Sequence, residues 1–298
     1  MDLSVPQAVF SVRRPAAFLL EGTLLNLSEY LSRVRRQAPV IHAISNYVTA
    51  NDVANLLLAC GASPIMADDP EEAVYITRLS AALALNLGTL SRRRVPAMVA
   101  SGETAARLGR PILLDPVGAG ASPMRTDTAR MLLARLPVTA LRCNVSELRA
   151  LLSGVHTHRG VDADGQDRQK AGGLSEQITF VKGAARQLGC LVAVTGETDL
   201  VSDGETCFVI RNGRPEMSRV TGTGCQLSAL CAAFLAADPD RSVYALAAAV
   251  CAMGLAGEIA WGHMTPHDGN AAYRSRIIDA VYHLDGETLN KGARYELG

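Results

Sequence analysis

Short apolar runs alternate along the chain with longer amphipathic stretches. The apolar runs each end in a polar or glycine-containing turn, and they cover residues 40–44, 81–85, 111–114 and 191–194. Such unbroken runs are typical of central strands that are buried on both faces of a parallel sheet. The amphipathic stretches predict helices over residues 52–60, 71–80, 91–108, 126–136 and 176–188. The alternation therefore predicts a three-layer α/β/α fold, with helices on both faces of a mostly parallel central sheet.

A different pattern follows the last of these runs. Three shorter and more polar segments cover residues 198–202, 206–211 and 215–219. They are separated by Asp203-Gly204 and Asn212-Gly213, which are hairpin turn signals. We therefore predict that these segments form an antiparallel edge of the sheet.

The composition indicates one large folded domain. Hydrophobic residues make up 48% of the 298 residues and charged residues 19%, which suits a sizeable core and is unlike a disordered chain. The sequence has no low-complexity linker and no repeat of fixed period, and its polar stretch 156–169 predicts a surface loop. We therefore divide the chain into a variable N-terminal extension, residues 1–29, and a single domain, residues 30–298.

Charge and cysteine content argue against several classes of protein. The 29 basic and 29 acidic residues cancel, whereas a sequence-independent nucleic-acid binder needs a concentrated basic face. The seven cysteines include no Cys-x-x-Cys pair, so we expect free thiols rather than disulfides or a structural zinc site. No apolar stretch reaches membrane-spanning length without a break, and the charged N-terminus lacks a signal-peptide core. We therefore expect a cytoplasmic protein with neither nucleic-acid nor membrane partners.

The most informative motif is the loop Val220-Thr221-Gly222-Thr223-Gly224-Cys225, called the glycine loop below. It runs directly into an Ala-rich helical pattern over residues 226–237, and a second such pattern covers 241–261. Backbone N–H groups at a helix N-terminus lack intrahelical partners, and with the helix dipole they form a site for a phosphate or another anion. Gly222 and Gly224 would let the backbone approach that anion without an intervening Cβ. The alternative is a pair of glycine turns that only join a strand to a buried helix.

Polar or glycine-rich turns follow six apolar segments, which are the four runs above and two shorter ones that end at Ile65 and Leu141. These turns lie at the end of the sheet where ligands bind in open α/β folds. The candidate residues in these turns include Asn46, Met66, Asp115, Asn144 and Thr195. Each has a simpler interpretation: Asn46 as a turn former, Met66 as a core residue, Asp115 as part of a strand-ending turn. Their convergence at one edge of the predicted sheet favours a binding site. His42, inside the first run, is interpreted as a hydrogen-bonded strand histidine rather than a catalytic one.

A series of motifs runs through the chain in order. They are Asn46-Tyr47-Val48-Thr49, Gly61-Ala62-Ser63-Pro64-Ile65-Met66-Ala67, Leu85-Asn86-Leu87-Gly88-Thr89, Asp115-Pro116-Val117-Gly118-Ala119-Gly120, Arg125-Thr126, Asn144-x-x-Glu147, Val194-Thr195-Gly196 and the glycine loop. This series closely resembles the hydroxyethylthiazole kinases, a family of the ribokinase-like fold that acts in thiamine salvage. The resemblance covers roughly residues 30–265 and leaves the N-terminal extension outside it.

The resemblance implies a Mg²⁺-dependent transfer of the ATP γ-phosphate to the hydroxyl of 4-methyl-5-(2-hydroxyethyl)thiazole. It implies that Asn46, Met66 and Gly222 bind this substrate. The polarisable thioether of Met66 against a sulfur-containing ring is chemically reasonable.

The resemblance also implies the residues that hold ATP and the metal, and the assembly of the protein. ATP would contact Arg125, Thr195, Asn144 and Asp115. Mg²⁺ would be organised by Glu147 and Asp115, whose carboxylates suit a hard cation. The family forms homotrimers, so a homotrimer is expected.

Catalysis would depend on the glycine loop. Phosphoryl transfer has a loose transition state, so positioning and neutralisation of the phosphate oxygens supply most of the rate. The amides of Gly222, Gly224 and Cys225 would form a preorganised anion hole. Cys225 stands where the wider superfamily has an aspartate base. One interpretation is a thiol whose pKa the helix N-terminus lowers, so that the thiolate accepts a proton. The other, which we favour, is a small side chain in a reaction that needs little base.

Other functions are weighed against this one. A repair dehydratase for hydrated NAD(P)H has related loops, but it would keep Asp at position 225, and it lacks the Ala-Ser-Pro-Ile-Met turn. A kinase for a hydroxymethylpyrimidine or a sugar would also keep that Asp. A non-catalytic binding protein is hard to reconcile with the joint presence of Asp115, Arg125, Asn144 and Glu147.

Overall fold

The computed structural model describes residues 25–153 and 173–298. Within these residues the strands are β1 Val40–Ile44, β2 Ser63–Ile65, β3 Ala82–Asn86, β4 Ile112–Asp115, β5 Ala140–Asn144, β6 Leu191–Thr195, β7 Asp199–Ser202, β8 Cys207–Ile210 and β9 Tyr295–Leu297. They form one sheet in the order β2-β1-β3-β4-β5-β6-β7-β8-β9.

The sheet is parallel through β6 and antiparallel beyond it. The carboxyl ends of β1 to β6 therefore meet at one edge, called the carboxyl edge below. The register places Asn86 beside Asp115 and Asn144 beside Thr195 at this edge. The predicted mostly parallel sheet with an antiparallel edge is confirmed.

The antiparallel edge differs from the prediction in its last strand. Residues Pro215–Arg219 form a short 3₁₀ helix instead of a strand. Pro215 has a fixed φ and no N–H to donate, so it starts a helical turn more readily than a strand ladder. Beside β8 lies β9, at the end of the chain, with Val209 opposite Glu296. The predicted surface loop at 156–169 lies outside the described residues.

Helices cover both faces of the sheet. Within the described residues they are α1 Leu27–Gln37, α2 Ala50–Cys60, α3 Pro70–Leu79, α4 Val95–Arg107, α5 Pro123–Arg135, α6 Val145–Ser153, α7 Leu174–Leu188, α8 Thr223–Ala237, α9 Ser242–Gly262, α10 Asn270–His283 and α11 Gly286–Gly292. One hydrophobic cluster contains buried residues of α1, α2 and α8 to α11, and the other contains those of α3 to α7. Leu113 and Leu114 of β4 lie in different clusters because successive strand residues point to opposite faces. The three-layer arrangement is confirmed.

Helix α9 corrects one expectation from the sequence. Ser242–Gly262 is long and apolar enough, by length and composition, to cross a membrane, although no such stretch was expected. In the structure 83% of its most apolar window is buried inside the protein. A helix that packs on all sides in a core needs an apolar surface all round, which explains its composition.

Helix α1 begins just before the predicted start of the domain. Leu27, Tyr30 and Leu31 are all buried in the first hydrophobic cluster, and Leu25 N donates a hydrogen bond to Tyr295 Oη at 2.6 Å. The residues from 25 onward therefore pack on the fold, whereas the division of the chain at residue 30 stays a prediction.

Candidate active site

Asp115 lies at the centre of a buried polar cluster at the carboxyl edge. It ends β4 and is 1% exposed. Its Oδ2 accepts hydrogen bonds from Asn86 Nδ2 at 2.9 Å and from Ser228 Oγ, on α8, at 2.7 Å. Its Oδ1 is buried and has no hydrogen-bond partner among the described residues. Burial raises the pKa of Asp115, and the Arg142 guanidinium opposes that rise.

Arg142 is a site residue that the sequence analysis missed. It lies in β5, and its Nη1 is 3.8 Å from Asp115 Oδ2. Its Nη2 donates to Thr195 Oγ1 at 2.5 Å. A Cβ at position 224 would overlap the Arg142 guanidinium, so the glycine lets the glycine loop lie this close without displacing the arginine. The signal was present in the sequence as an arginine between the apolar residues Leu141 and Cys143, inside a strand, where charged residues are rare.

Asn144 and Glu147 form a closed pair of hydrogen bonds at the junction of β5 and α6. Asn144 N donates to Glu147 Oε2 at 2.9 Å, and Glu147 N donates to Asn144 Oδ1 at 2.8 Å. The other oxygen, Glu147 Oε1, accepts from Gly118 N at 2.8 Å, in the turn after β4. Burial, followed by the nearby Asp115 charge, raises the pKa of Glu147 to about 7. The Asn-x-x-Glu motif therefore links two turns of the carboxyl edge around a buried carboxyl group.

The glycine loop leads into α8 as the sequence predicted. Gly222 has a φ of 90°, in the left-handed region, and a Cβ there would overlap the Thr49 side chain. Gln226 N donates to Gly222 O at 2.8 Å, which is the first hydrogen bond of the helix. The amides of residues 223–225 therefore have no intrahelical acceptor. They provide N–H donors for an anion at the carboxyl edge.

Cys225 contacts the same cluster from the start of α8. Asn46 Nδ2 donates to Cys225 Sγ at 3.2 Å and to Asn86 Oδ1 at 3.1 Å. Burial, followed by the Asp115 charge, raises the pKa of the Cys225 thiol. Desolvation and a neighbouring carboxylate both disfavour a thiolate, which favours the interpretation of Cys225 as a small neutral side chain.

The two turns predicted to bind the acceptor substrate differ in their position. Asn46 is 4% exposed and belongs to the polar cluster. A small cavity beside this cluster is lined by Ala43, Ser45, Val53, Ala84, Leu85, Asn86, Leu113, Cys225, Ser228 and Ala229. Met66 follows the edge strand β2, is 37% exposed and is not part of this lining. The structure thus brings Asn46 into the cluster and leaves Met66 at its outer side.

Arg125 and His42 lie outside the cluster. Arg125 Nη1 donates to Val117 O at 3.1 Å, so this side chain flanks the turn after β4. His42 is fully buried, with Nε2 2.9 Å from Ala67 O and Nδ1 2.9 Å from Thr77 Oγ1. Burial lowers the pKa of His42, so it is a neutral, hydrogen-bonded strand histidine, as the sequence predicted.

Comparison with known proteins shows the family of this chain. A model of the hydroxyethylthiazole kinase family matches residues 31–287. The chain belongs to the hydroxyethylthiazole kinase family. It is 47% identical over 270 residues to the hydroxyethylthiazole kinase of Clostridium acetobutylicum, a match that covers 91% of this chain and 99% of that protein.

Solved structures agree with this family and define the fold. The structure of the hydroxyethylthiazole kinase protein from Pyrococcus horikoshii OT3 is 36% identical, covers 91% of this chain and 98% of its own, and has a TM-score of 0.80. A ribokinase-like superfamily protein from Enterococcus faecalis covers 86% of this chain and 94% of its own, at 13% identity and a TM-score of 0.56. The second likeness shows the fold alone. The predicted ribokinase-like fold and the resemblance to this kinase family are both confirmed.

Proposed function

We propose that this member of the hydroxyethylthiazole kinase family transfers the γ-phosphate of ATP to the hydroxyl of 4-methyl-5-(2-hydroxyethyl)thiazole, in thiamine salvage. The observation that carries the proposal is the approach of the glycine loop to Arg142 and Asp115 at the carboxyl edge. Backbone amides and a guanidinium side by side suit the oxygens of a phosphoryl group in transfer. Asn46 is hydrogen-bonded to Cys225, so its side-chain amide lies next to the glycine loop, where it could bind the acceptor alcohol.

The ATP side of the proposed site is built on β5, β6 and the turn after β4. Arg142, already hydrogen-bonded to Thr195, brings a positive charge that balances phosphate. Arg125, Asn144 and Asp115 stay in the proposal as further contacts of ATP. The amides of the glycine loop would stabilise charge on the transferring group as it passes to the acceptor.

The acceptor side is built on the turns after β1 and β2. Asn46 would hydrogen-bond the alcohol, and Met66 would pack against the thiazole ring, with Gly222 closing the pocket from the glycine loop. Because burial raises the pKa of the Cys225 thiol, we propose that this side chain stays protonated and fills space beside the hydroxyl. A loose transition state needs little help from a base.

The carboxylates of the cluster suit Mg²⁺. The ion prefers oxygen donors and usually keeps several waters, taking one or two carboxylates together with substrate phosphates. The unpartnered Asp115 Oδ1 is available as such a donor, and Glu147 would act through water. Among the described residues there is no group of three or more His, Cys, Asp or Glu side chains arranged for a metal ion, which agrees with an ion bound partly by ATP. When bound, Mg²⁺ would neutralise charge on the phosphate oxygens.

Release of ADP from Mg-ATP tests the reaction directly. We expect release that depends on added hydroxyethylthiazole and is absent with hydroxymethylpyrimidine or ribose. Release with another alcohol would keep the phosphate site but remove Asn46 and Met66 as determinants of the substrate. A folded protein that binds ATP and releases no ADP with any of the three would contradict the kinase assignment and favour a dehydratase or a binding protein.

The remaining expectations concern the assembly and the cellular context. We propose a homotrimer that acts in the cytoplasm, without nucleic-acid or membrane partners. We also propose an N-terminal extension, which the sequence bounds at residue 29 although Leu27 already packs in the core of the fold. Light scattering tests the assembly, since a trimer has about three times the mass of the 31.5 kDa chain.

A further inference from the structure

Arg94 is a buried arginine for which the proposed reaction gives no role. It directly precedes α4, after the turn that follows β3, and it is 3% exposed. Its Nη2 donates to Ser45 O in the turn after β1. Its Nε is 3.0 Å from Asp68 Oδ2 in the turn after β2. One guanidinium thus joins the turns of three strands that are neighbours in the sheet.

The contacts of Arg94 lie on either side of the residues proposed to bind the alcohol. Asn46 stands between Ser45 and Tyr47, and the Tyr47 ring lies over the guanidinium, with its centroid 5.1 Å from Cζ. Met66 precedes Asp68 by two residues. Any shift of the guanidinium would therefore move both proposed contacts of the thiazole.

The ion pair is poorly suited to a purely stabilising role. Burying a guanidinium costs free energy, which only a complete set of partners offsets. Here Asp68 is 43% exposed on its side chain, and Arg94 Nη1 has no hydrogen-bond partner among the described residues. The planar guanidinium of arginine holds its N–H donors in a rigid arrangement, which fixes the geometry of the groups that it contacts.

The opposite side of the turn after β2 is fixed independently. His42 Nε2 donates to Ala67 O at 2.9 Å, since a buried neutral imidazole can offer its N–H to a carbonyl oxygen. The residues on the C-terminal side of Met66 are therefore held by His42 at Ala67 and by Arg94 at Asp68. Of these two residues, Arg94 also contacts the turn that carries Asn46, through its hydrogen bond to Ser45 O.

We infer that Arg94 is a positioning residue, which sets the spacing of the Asn46 and Met66 turns and so determines binding of the alcohol substrate. The inference rests on the proposed function, because it takes these two residues as the contacts of the thiazole. It adds a determinant of substrate binding that lies outside the polar cluster.

Asp68→Asn is the sharpest test, because it removes the charge opposite Arg94 at a half-exposed position and keeps the shape. We expect the KM for hydroxyethylthiazole to rise about fivefold or more, with kcat and the KM for ATP changed less than about twofold. The matched control is Asp69→Asn. Asp69 caps α3 by accepting from Glu71 N at 2.9 Å, and asparagine caps a helix equally well. Its kinetic constants should match the wild type.

Amide hydrogen exchange provides a readout that does not depend on the reaction. Faster exchange in residues 45–48 of Asp68→Asn, and not of Asp69→Asn, would support the inference, since Arg94 contacts both that turn and Asp68. Arg94→Lys should raise the same KM and speed exchange in the same residues. The double variant with Asp68→Asn should differ little from either single variant in KM and in exchange. Unchanged exchange together with an unchanged KM would overturn the inference. A wild-type protein without thiazole turnover would refute the proposed function. Hydrogen exchange in residues 45–48 of the variants would then be the only test of the positioning role of Arg94.

Discussion

At the scale of single residues, burial decides which polar groups can carry charge. Cys225 stands at a helix N-terminus, which by itself favours a thiolate. It also lies, partly buried, among Asn46, Asn86 and Asp115, and its thiol pKa is raised. Desolvation acts on the full charge of a thiolate, whereas the helix end carries only about half an elementary charge. Burial at this position therefore favours a neutral thiol.

Cys225→Ala should keep measurable turnover. A protonated thiol cannot accept the proton of the alcohol, so its removal should lower kcat less than about tenfold, compared with 10²–10⁴-fold for a true general base. The measurement is kcat and its pH profile, with Cys231→Ala on the same helix as the control for effects on α8. Loss of all activity in a folded Cys225→Ala protein would show that the thiol takes part in the chemistry.

Arg142 and Arg125 should give different kinetic defects. Arg142→Lys keeps a charge near Asp115 but loses the planar contact to Thr195, and we expect kcat to fall about 10²-fold. Arg125→Lys, at the flank of the turn after β4, should mainly raise the KM for ATP. Steady-state kinetics with varied ATP separate the two, and thermal melts check the fold. A larger fall in kcat for Arg125→Lys would contradict the central place given to Arg142.

At the scale of elements, the starts of two helices meet at the glycine loop. Gly222, before α8, lies so close to Thr49, before α2, that a Cβ would overlap the threonine methyl group. The left-handed φ of Gly222 turns the chain from the loop into α8. The exposed amides of the helix are thus aimed by a backbone conformation that L-residues with a side chain rarely adopt.

Gly222→Ala should therefore impair both stability and activity. The strained φ and the overlap with Thr49 should lower the free energy of unfolding by about 1–3 kcal/mol, and displaced amides should lower kcat at least about tenfold. Gly183→Ala in α7 is the matched control. Its Cβ would meet no atom within 4 Å, so better helix propensity should stabilise the protein by about 0.5–1 kcal/mol. Equal effects of the two substitutions would contradict this account of the loop.

At the scale of the whole molecule, folding gathers carboxyl groups that lie far apart in sequence. Glu147 and Asp115 come from different strand ends and share one buried cluster, so each disfavours the charge of the other. In the absence of Mg²⁺ and ATP, this buried pair of carboxyl groups lowers the free energy of unfolding. Active sites commonly contain such unfavourable arrangements, which their ligands relieve.

The stability of the metal-free protein should fall as the pH rises from about 4.5 to about 7. The pKa of Glu147 rises from 4.5 to about 7 on folding, so between these values the folded state binds more protons than the unfolded state. The free energy of unfolding then decreases as the pH rises and levels off above the folded pKa. The total decrease that Glu147 causes is at most about 3 kcal/mol.

Denaturant unfolding between pH 5 and pH 8, with a chelator present, measures this dependence. Glu147→Gln should flatten the curve, and the part that remains should come from Asp199, whose pKa burial raises to about 7, and from Asp115, whose pKa burial also raises. Identical curves for wild type and Glu147→Gln would show that Glu147 does not titrate in this range.

The elements that the sequence predicted well are those whose pattern depends on local contacts. The apolar runs of β1, β3, β4 and β6 and the helices α2, α3, α4, α5 and α7 were predicted close to their positions in the structure. Strand β9 was missed, because a short polar segment becomes a strand only when β8 offers it a partner. Residues 215–219 were predicted as strand, because hairpin signals do not show that Pro215 starts a 3₁₀ turn.

By itself, then, the sequence determined the layer order, the gathering of polar turns at the carboxyl edge, and the family. Periodicity, turn residues and short motifs are local properties of the chain. The tertiary structure alone decided which polar groups meet there: the contact of Arg142 with Asp115, the raised pKa of Cys225, and the three turns that Arg94 joins. Distances and desolvation between residues far apart in sequence exist only after folding, and no pattern along the chain encodes them directly.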